Sequence, residues 1–196
     1  MVTANIYLAL SINKQMQIKR TPIEGCFIIQ PQLLKDERGY FYESFNQAKF
    51  EKLTHLSVNF IQDNESSSSK GVLRGLHFQK GEFAQAKLVR VVKGAVQDVV
   101  VDVRPSSKTY GQHFSIELSE ENKTQLFISR GLAHGFLVLK NDTIFNYKCD
   151  NYYNKEAESG IIYNDASLAI DWNASEKDLI ISEKDLLLPQ FKEVES

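Results

Sequence analysis

The sequence predicts an all-β fold, a jelly-roll sandwich or barrel with a few short helices. Three observations point there. From residue 27 onward, short β-rich runs recur at intervals of roughly eight to fifteen residues. The stretches between them carry turn chemistry, as at Lys93-Gly94, Arg104-Pro105-Ser106-Ser107, Ser119-Glu120-Glu121-Asn122 and Lys140-Asn141-Asp142. Helical signal is weak, and many short strands at such spacing indicate a sandwich or barrel.

Taken in order, the chain opens on Ile6-Tyr7-Leu8-Ala9-Leu10, an apolar run too short to span a bilayer and without the basic start of a signal peptide. Met16 reads as a natural beginning. Residues 1–15 are therefore an extension of no assigned function, and 16–196 a single jelly-roll domain. Strands are expected near 27–31, 39–45, 57–63, 72–79, 86–92, 95–103, 113–119, 125–129, 135–139, 143–149 and 159–163. Asn46–Leu53 is a short helix capped by Asn46. Ser175-Glu176-Lys177-Asp178 and Ser182-Glu183-Lys184-Asp185 resemble helix starts. Glu65-Ser66-Ser67-Ser68-Ser69-Lys70-Gly71 reads as a turn or mobile loop.

Composition bounds the function. With 196 residues, 42% hydrophobic and 24% charged, the chain is an ordinary globular one. A net charge of −2 gives no basic field for nucleic acid or an acidic membrane surface. Twelve Phe and eight Tyr favour strands and sugar- or base-stacking pockets. Cys26 and Cys149 form neither a disulfide framework nor a zinc site, and read as buried small hydrophobes in a reducing cytoplasm.

The richest stretch is Val72-Leu73-Arg74-Gly75-Leu76-His77-Phe78-Gln79, followed by Gln85-Ala86-Lys87-Leu88-Val89-Arg90. Core strands rarely carry so many cations unless they line a polar pocket, since an unpaired buried charge is costly. Histidine suits proton transfer near neutral pH, so this pattern suggests an anionic, proton-exchanging substrate. Strict alternation puts Arg74 and His77 on opposite faces. If both serve one pocket, Gly75 sits at a bulge or kink.

His77 is the leading general base, and His134 is a second pocket candidate. His55 and His113 read as surface residues. On pattern alone, Lys87 and Arg90 read as solvent-facing strand cations, Asp98 and Asp102 as solvated carboxylates, and Tyr147 as core filler. Asp36-Glu37-Arg38-Gly39 reads as a charged turn. No catalytic metal is expected, because Gln79 stands where a His-x-His ligand pair would need its second histidine.

Together these segments resemble the dTDP-4-dehydrorhamnose 3,5-epimerase family. The pieces are Asp36-Glu37-Arg38-Gly39-Tyr40-Phe41-Tyr42-Glu43-Ser44-Phe45-Asn46, Gln62-Asp63-Asn64, Leu73–Gln79, Ala86-Lys87-Leu88-Val89-Arg90, Leu132-Ala133-His134-Gly135-Phe136 and Tyr147–Tyr153. The run from Trp172 to Asp185 fits as well, so the resemblance spans about residues 16 to 190. It implies a cupin-like jelly roll without metal or cofactor, usually a homodimer, that inverts C3 and C5 of a dTDP-linked 4-keto-6-deoxyhexose.

By that resemblance His77 is the base, oriented by Asp185. Tyr147 is the acid on the opposite face, and Lys87 stabilises the enolate. Arg74 and Arg38 suit the pyrophosphate, while Glu43, Gln62, Asp63, Asn64, His134, Glu158 and Lys184 complete the substrate site. In the family the early strand can reach the partner subunit's pocket, so the resemblance leaves open whether Arg38 and Glu43 serve their own site or the partner's. Two departures stand out: Phe127 occupies the place of a usual tryptophan, and Ser129 that of a usual proline. The alternative within the same family is a nucleotide-sugar epimerase or ketoisomerase acting at one centre or on another 4-keto-6-deoxy sugar. Two readings from other classes are a metal-dependent cupin and a non-catalytic nucleotide-sugar binding module.

Overall fold

A computed structural model describes residues 15–194; the expected N-terminal extension, apart from its last position, lies outside the described residues. The first half forms β1 (Gln17–Arg20), β2 (Cys26–Gln30), β3 (Leu34–Asp36), β4 (Gly39–Phe41), helix α1 (Gln47–Thr54), β5 (Gln62–Ser68) and β6 (Leu73–Gln79). Then come β7 (Lys87–Lys93), β8 (Ala95–Asp102), β9 (His113–Ser119), β10 (Gln125–Ile128) and β11 (Leu132–Val138). β12 (Thr143–Cys149), β13 (Glu158–Gly160) and a four-residue helix α2 (Glu183–Leu186) complete the order.

Two antiparallel sheets face each other in the jelly-roll manner. One has the order β1-β2-β10-β7-β12-β5, the other β13-β6-β11-β8-β9, and β3-β4 stands apart as a hairpin. Alternation sorts the apolar side chains into three layers. Val89, Val91, Val96, Val100, Leu126, Ile128, Phe136 and Phe145 fill the space between the sheets. Leu76, Phe78, Val99, Val101 and Ala133 lie on the outer face of the five-stranded sheet, covered by Leu168, Ile170 and Trp172 of the tail. Ile29, Leu88 and Phe127 occupy the outer face of the other sheet, under Phe50 of α1. β8 is thus buried on both faces, which explains its near-continuous valines.

Helix α1 forms where expected because Asn46 accepts the Lys49 N–H at 3.1 Å and one apolar residue, Phe50, anchors it. Phe127 packs edge-on against Phe50 in the outer layer, on a sheet face turned away from the inter-sheet space. Cys26 and Cys149 are buried, and burial pushes their thiols up to about 12 and about 11.

Several boundaries move. The strand expected over 57–63 forms instead at Gln62–Ser68, so most of the serine-rich segment read as a loop is the edge strand β5, paired with β12. Its inner residues Gln62, Asn64 and Ser66 border a polar cavity and its outer face meets solvent, so no hydropathy alternation marks it. The strand expected over 39–45 stops at Phe41, and β1 and β3 carry no apolar run that announces them. Asp98 and Asp102 are not solvated: both are fully buried. Burial raises the Asp102 carboxyl, but Arg104, Ser107 and Thr109 donate to it and hold it at about 2.

Candidate active site

Strand β6 departs from regular alternation at Gly75. Along β11, His134 pairs with His77 and Phe136 with Arg74, so two steps on β11 match three on β6. One extra residue on the bulged strand puts Arg74 and His77 on the same face. Gly75 has φ +112, and a Cβ there would lie 2.6 Å from the Gly135 Cα and 2.7 Å from the His134 carbonyl oxygen. Only glycine fits so close a backbone approach.

That face lines two adjoining cavities of about 440 and 340 Å³ between the sheets. Glu65, His77, Lys87 and Tyr147 border both. His77 comes from the five-stranded sheet, and Lys87 and Tyr147 from the six-stranded one, so the imidazole and the phenol stand on opposite walls. Glu65, on the edge strand, belongs by alternation to the outer face with Asp63.

His77 Nε2 lies 2.9 Å from Asp185 Oδ1. The Gly75 N–H donates to the other carboxylate oxygen at 3.2 Å, and the Asp185 N–H donates to Ser182 Oγ, capping α2. Burial raises the Asp185 carboxyl, but bonds from His77, Gly75 and Ser182 outweigh it and hold the group below its ordinary range. Tyr147 is pushed up, chiefly by burial, which keeps the phenol protonated. Lys87 makes no ion pair among the described residues. Burial drives its ammonium below the usual range, against the pull of Cys149 and Asp98.

His134 forms a second pair, Nε2 to Asp98 Oδ2 at 2.9 Å. Burial raises the Asp98 carboxyl while His134 opposes it, and Asp98 Oδ1 is buried without a hydrogen-bond partner. Arg74 borders the second cavity and donates to Ser68 Oγ at 3.2 Å. Lys184 borders the same cavity and pairs with Glu158, which borders the first and accepts from Tyr153 at 2.7 Å. Gln62 donates to Asn64 at 3.0 Å, and both line the first cavity.

Three expected site residues are not brought here. Asp63 points out of the sheet and pairs with Lys148 at 2.8 Å, as its odd position in β5 dictates. Arg38 tops the β3–β4 hairpin, exposed and bonded to Asp36. Glu43 pairs with Lys49 of α1 and accepts from Asn46 at 2.9 Å. Conversely, Tyr153, Ser182 and Phe136 line the cavities without a role having been assigned to them; Phe136 and Tyr153 fell inside the resemblance motifs, and Ser182 marked a helix start. Gln79 uses its amide on the carbonyls of Phe83 and Tyr152. Among the described residues, no group of three or more His, Cys, Asp or Glu is placed to hold a metal.

The arrangement offers a carboxylate-oriented imidazole, a protonated phenol on the facing wall, an unpaired ammonium 5.9 Å from the centre of the phenol ring and further cations on the cavity walls. Comparison with known proteins fits it. The family profile described as dTDP-4-dehydrorhamnose 3,5-epimerase matches residues 20–193. The chain is 53% identical over 170 residues to the dTDP-4-dehydrorhamnose 3,5-epimerase of Escherichia coli K12, covering 87% of this chain and 91% of that protein. The crystal structure of the enzyme of that name from Elizabethkingia anophelis aligns with a TM-score of 0.88 and 54% identity, covering 91% of this chain and 97% of the other. The dTDP-6-deoxy-D-glucose-3,5-epimerase of Legionella pneumophila, solved with dTDP-4-keto-L-rhamnose, aligns at 0.88 and 46% identity, covering 92% and 95%.

Proposed function

The chain belongs to the dTDP-4-dehydrorhamnose 3,5-epimerase family, and from that premise we propose how its own residues carry out the reaction. The enzyme is an isomerase that converts dTDP-4-dehydro-6-deoxy-D-glucose to dTDP-4-dehydro-L-rhamnose. Hydrogens at C3 and C5 are acidified by the C4 ketone, so each centre inverts if a base removes the proton from one face and an acid returns one from the other.

Asp185 accepts from His77 Nε2–H, which fixes the tautomer and leaves Nδ1 as the basic nitrogen. The Nδ1 lone pair takes the proton, the C–H bonding pair becomes the C=C bond of the enolate, and the carbonyl π pair moves onto the C4 oxygen. Lys87, desolvated and without a carboxylate partner, gains its counter-charge only when that oxyanion develops. Its contribution is therefore larger in the transition state than in the ground state. Tyr147 then delivers its phenolic proton from the opposite side, and solvent re-equilibrates both groups. Arg74 serves the pyrophosphate, and Gln62, Asn64, His134, Glu158 and Lys184 complete the substrate contacts. No cofactor takes part in this scheme.

The observation that carries the proposal is the descent of His77 and Tyr147 from facing sheets onto one cavity. Proton NMR of the substrate in D2O tests it. The enzyme should place deuterium at C3 and C5 while His77→Ala places none; uptake persisting in that variant would remove His77 from the role.

We also propose a cytoplasmic homodimer of one domain over 16–196, in which the hairpin and the segment after it take Arg38 and Glu43 to the partner's cavity. Both residues lie away from the cavity of their own chain, and Leu34, Tyr40 and Phe41 are exposed large hydrophobics on that hairpin. Sedimentation should give a dimer, and a monomer retaining full activity would exclude it. No helix among the described residues is long and apolar enough to cross a membrane.

A further inference from the structure

Asp185, the partner of the proposed base, rides on an arch of the tail. One end of the arch is stitched to β6: the Leu73 N–H donates to the Ile180 carbonyl at 3.0 Å, and the Ile180 N–H to that of Gly71 at 2.8 Å. At the other end the Ile162 N–H donates to the Pro189 carbonyl at 2.9 Å, beside β13. Between these points lies α2, four residues long and far below the length at which a helix holds itself in water. Leu186 within it is 48% exposed and Leu187 just after it 83%, so apolar anchorage comes only beyond the helix, where Leu188 lies over Gly160 of β13. The cap at Ser182 is internal to the arch and ties it to nothing else.

Among the described residues, the polar side-chain tie from α2 to the cavity wall, apart from Asp185 itself, is the ion pair of Lys184 with Glu158. Glu158 is firmly seated on β13, because its Oε2 also accepts from the Tyr153 hydroxyl. Lys184 directly precedes Asp185, so their Cα atoms are about 3.8 Å apart and cannot move independently. The ion pair also joins a wall of one cavity to a wall of the other.

We infer that Glu158 is a positioning residue: through Lys184 it clasps α2 to β13 and so holds Asp185 against His77. This deepens the proposed function and rests on its assignment of His77 and Asp185. It gives Glu158 and Lys184 work in the ligand-free enzyme, beyond contact with substrate.

The test uses the full-length, ligand-free protein. The His77 Nε2–H held by Asp185 should give a downfield proton NMR resonance, assigned by its loss in His77→Ala. Glu158→Gln and Lys184→Met should each broaden or abolish it and lower kcat for deuterium exchange about tenfold. The double variant Glu158→Lys with Lys184→Glu, which restores an ion pair of reversed sense, should recover the resonance even though its substrate contacts are altered. Single variants that keep the resonance and raise KM alone would overturn the clasp, as would a reversed pair that fails to recover it. Persistence of exchange in His77→Ala would instead overturn the assignment of the base, an outcome separate from the resonance.

Discussion

The described residues hold two histidine–carboxylate pairs with the same 2.9 Å separation and different surroundings. In the first, Asp185 is delivered by a short arch of the tail, receives bonds from His77 and the Gly75 N–H, and is kept below the ordinary carboxylate range. The His77 side chain is 27% exposed and faces both cavities. In the second, Asp98 sits in mid-strand with its side chain wholly buried, one oxygen unpartnered and its carboxyl pushed up. The His134 side chain is only 7% exposed. Distance therefore does not decide what such a pair does. A carboxylate with enough donors stays charged and sharpens a base, whereas one short of donors favours the proton and holds its imidazole in place.

The largest expected contrast is between the histidines. His77→Ala should cost at least about 10²–10⁴-fold in exchange at either carbon, while His134→Ala should chiefly raise KM, as measured by initial rates. Equal losses of kcat would erase the distinction between the pairs. Next come the carboxylates: Asp185→Asn should lower kcat for exchange by about 10–100-fold, and Asp98→Asn by less than about tenfold.

Gly75 sharpens the same comparison, because its bulge lets Arg74 and His77 face one cavity while its N–H supports Asp185. Gly75→Ala should destabilise the fold by about 1–3 kcal/mol in urea titrations, since its Cβ would press on the Gly135 backbone. A neutral effect there would argue that the bulge does not depend on glycine.

The smallest effects concern pH and stability. Asp185, lowered in the folded state, contributes stability that is present above its unfolded value of about 3.9 and is lost as pH falls through its folded value. Asp98, raised in the folded state, gives the opposite slope, with stability falling as pH rises from about 4 toward its folded value. Urea midpoints against pH should lose the first slope in Asp185→Asn and the second in Asp98→Asn.

The comparison also marks what was legible in the sequence. His77, Lys87 and Tyr147 lie on strands that their apolar neighbours reveal, and a pocket shared by Arg74 and His77 already called for a bulge at Gly75. Yet the pattern read Lys87 as solvent-facing and Tyr147 as core filler, where the structure sets both on the cavity. β5 was not legible, because a strand between a polar cavity and solvent alternates between two kinds of polarity. The same alternation turns Asp63 outward beside Gln62 and Asn64, which line the cavity. Asp98 looked solvated because a charge among valines gives no sign of the imidazole that meets it from β11, a contact between strands far apart in sequence. Arg38 and Glu43 were grouped with the site by resemblance, yet their own chain holds them away from it.

The central claim is that base and acid act from facing walls, and Tyr147→Phe in D2O tests it most directly by proton NMR of the sugar. With the acid removed and the base intact, deuterium should still enter next to the ketone, returned by His77 to the face it left. The starting configuration should then be retained and inversion should fall by about 10²–10⁴-fold. Inversion at the unmodified enzyme's rate, or no deuterium uptake at all, would contradict the account.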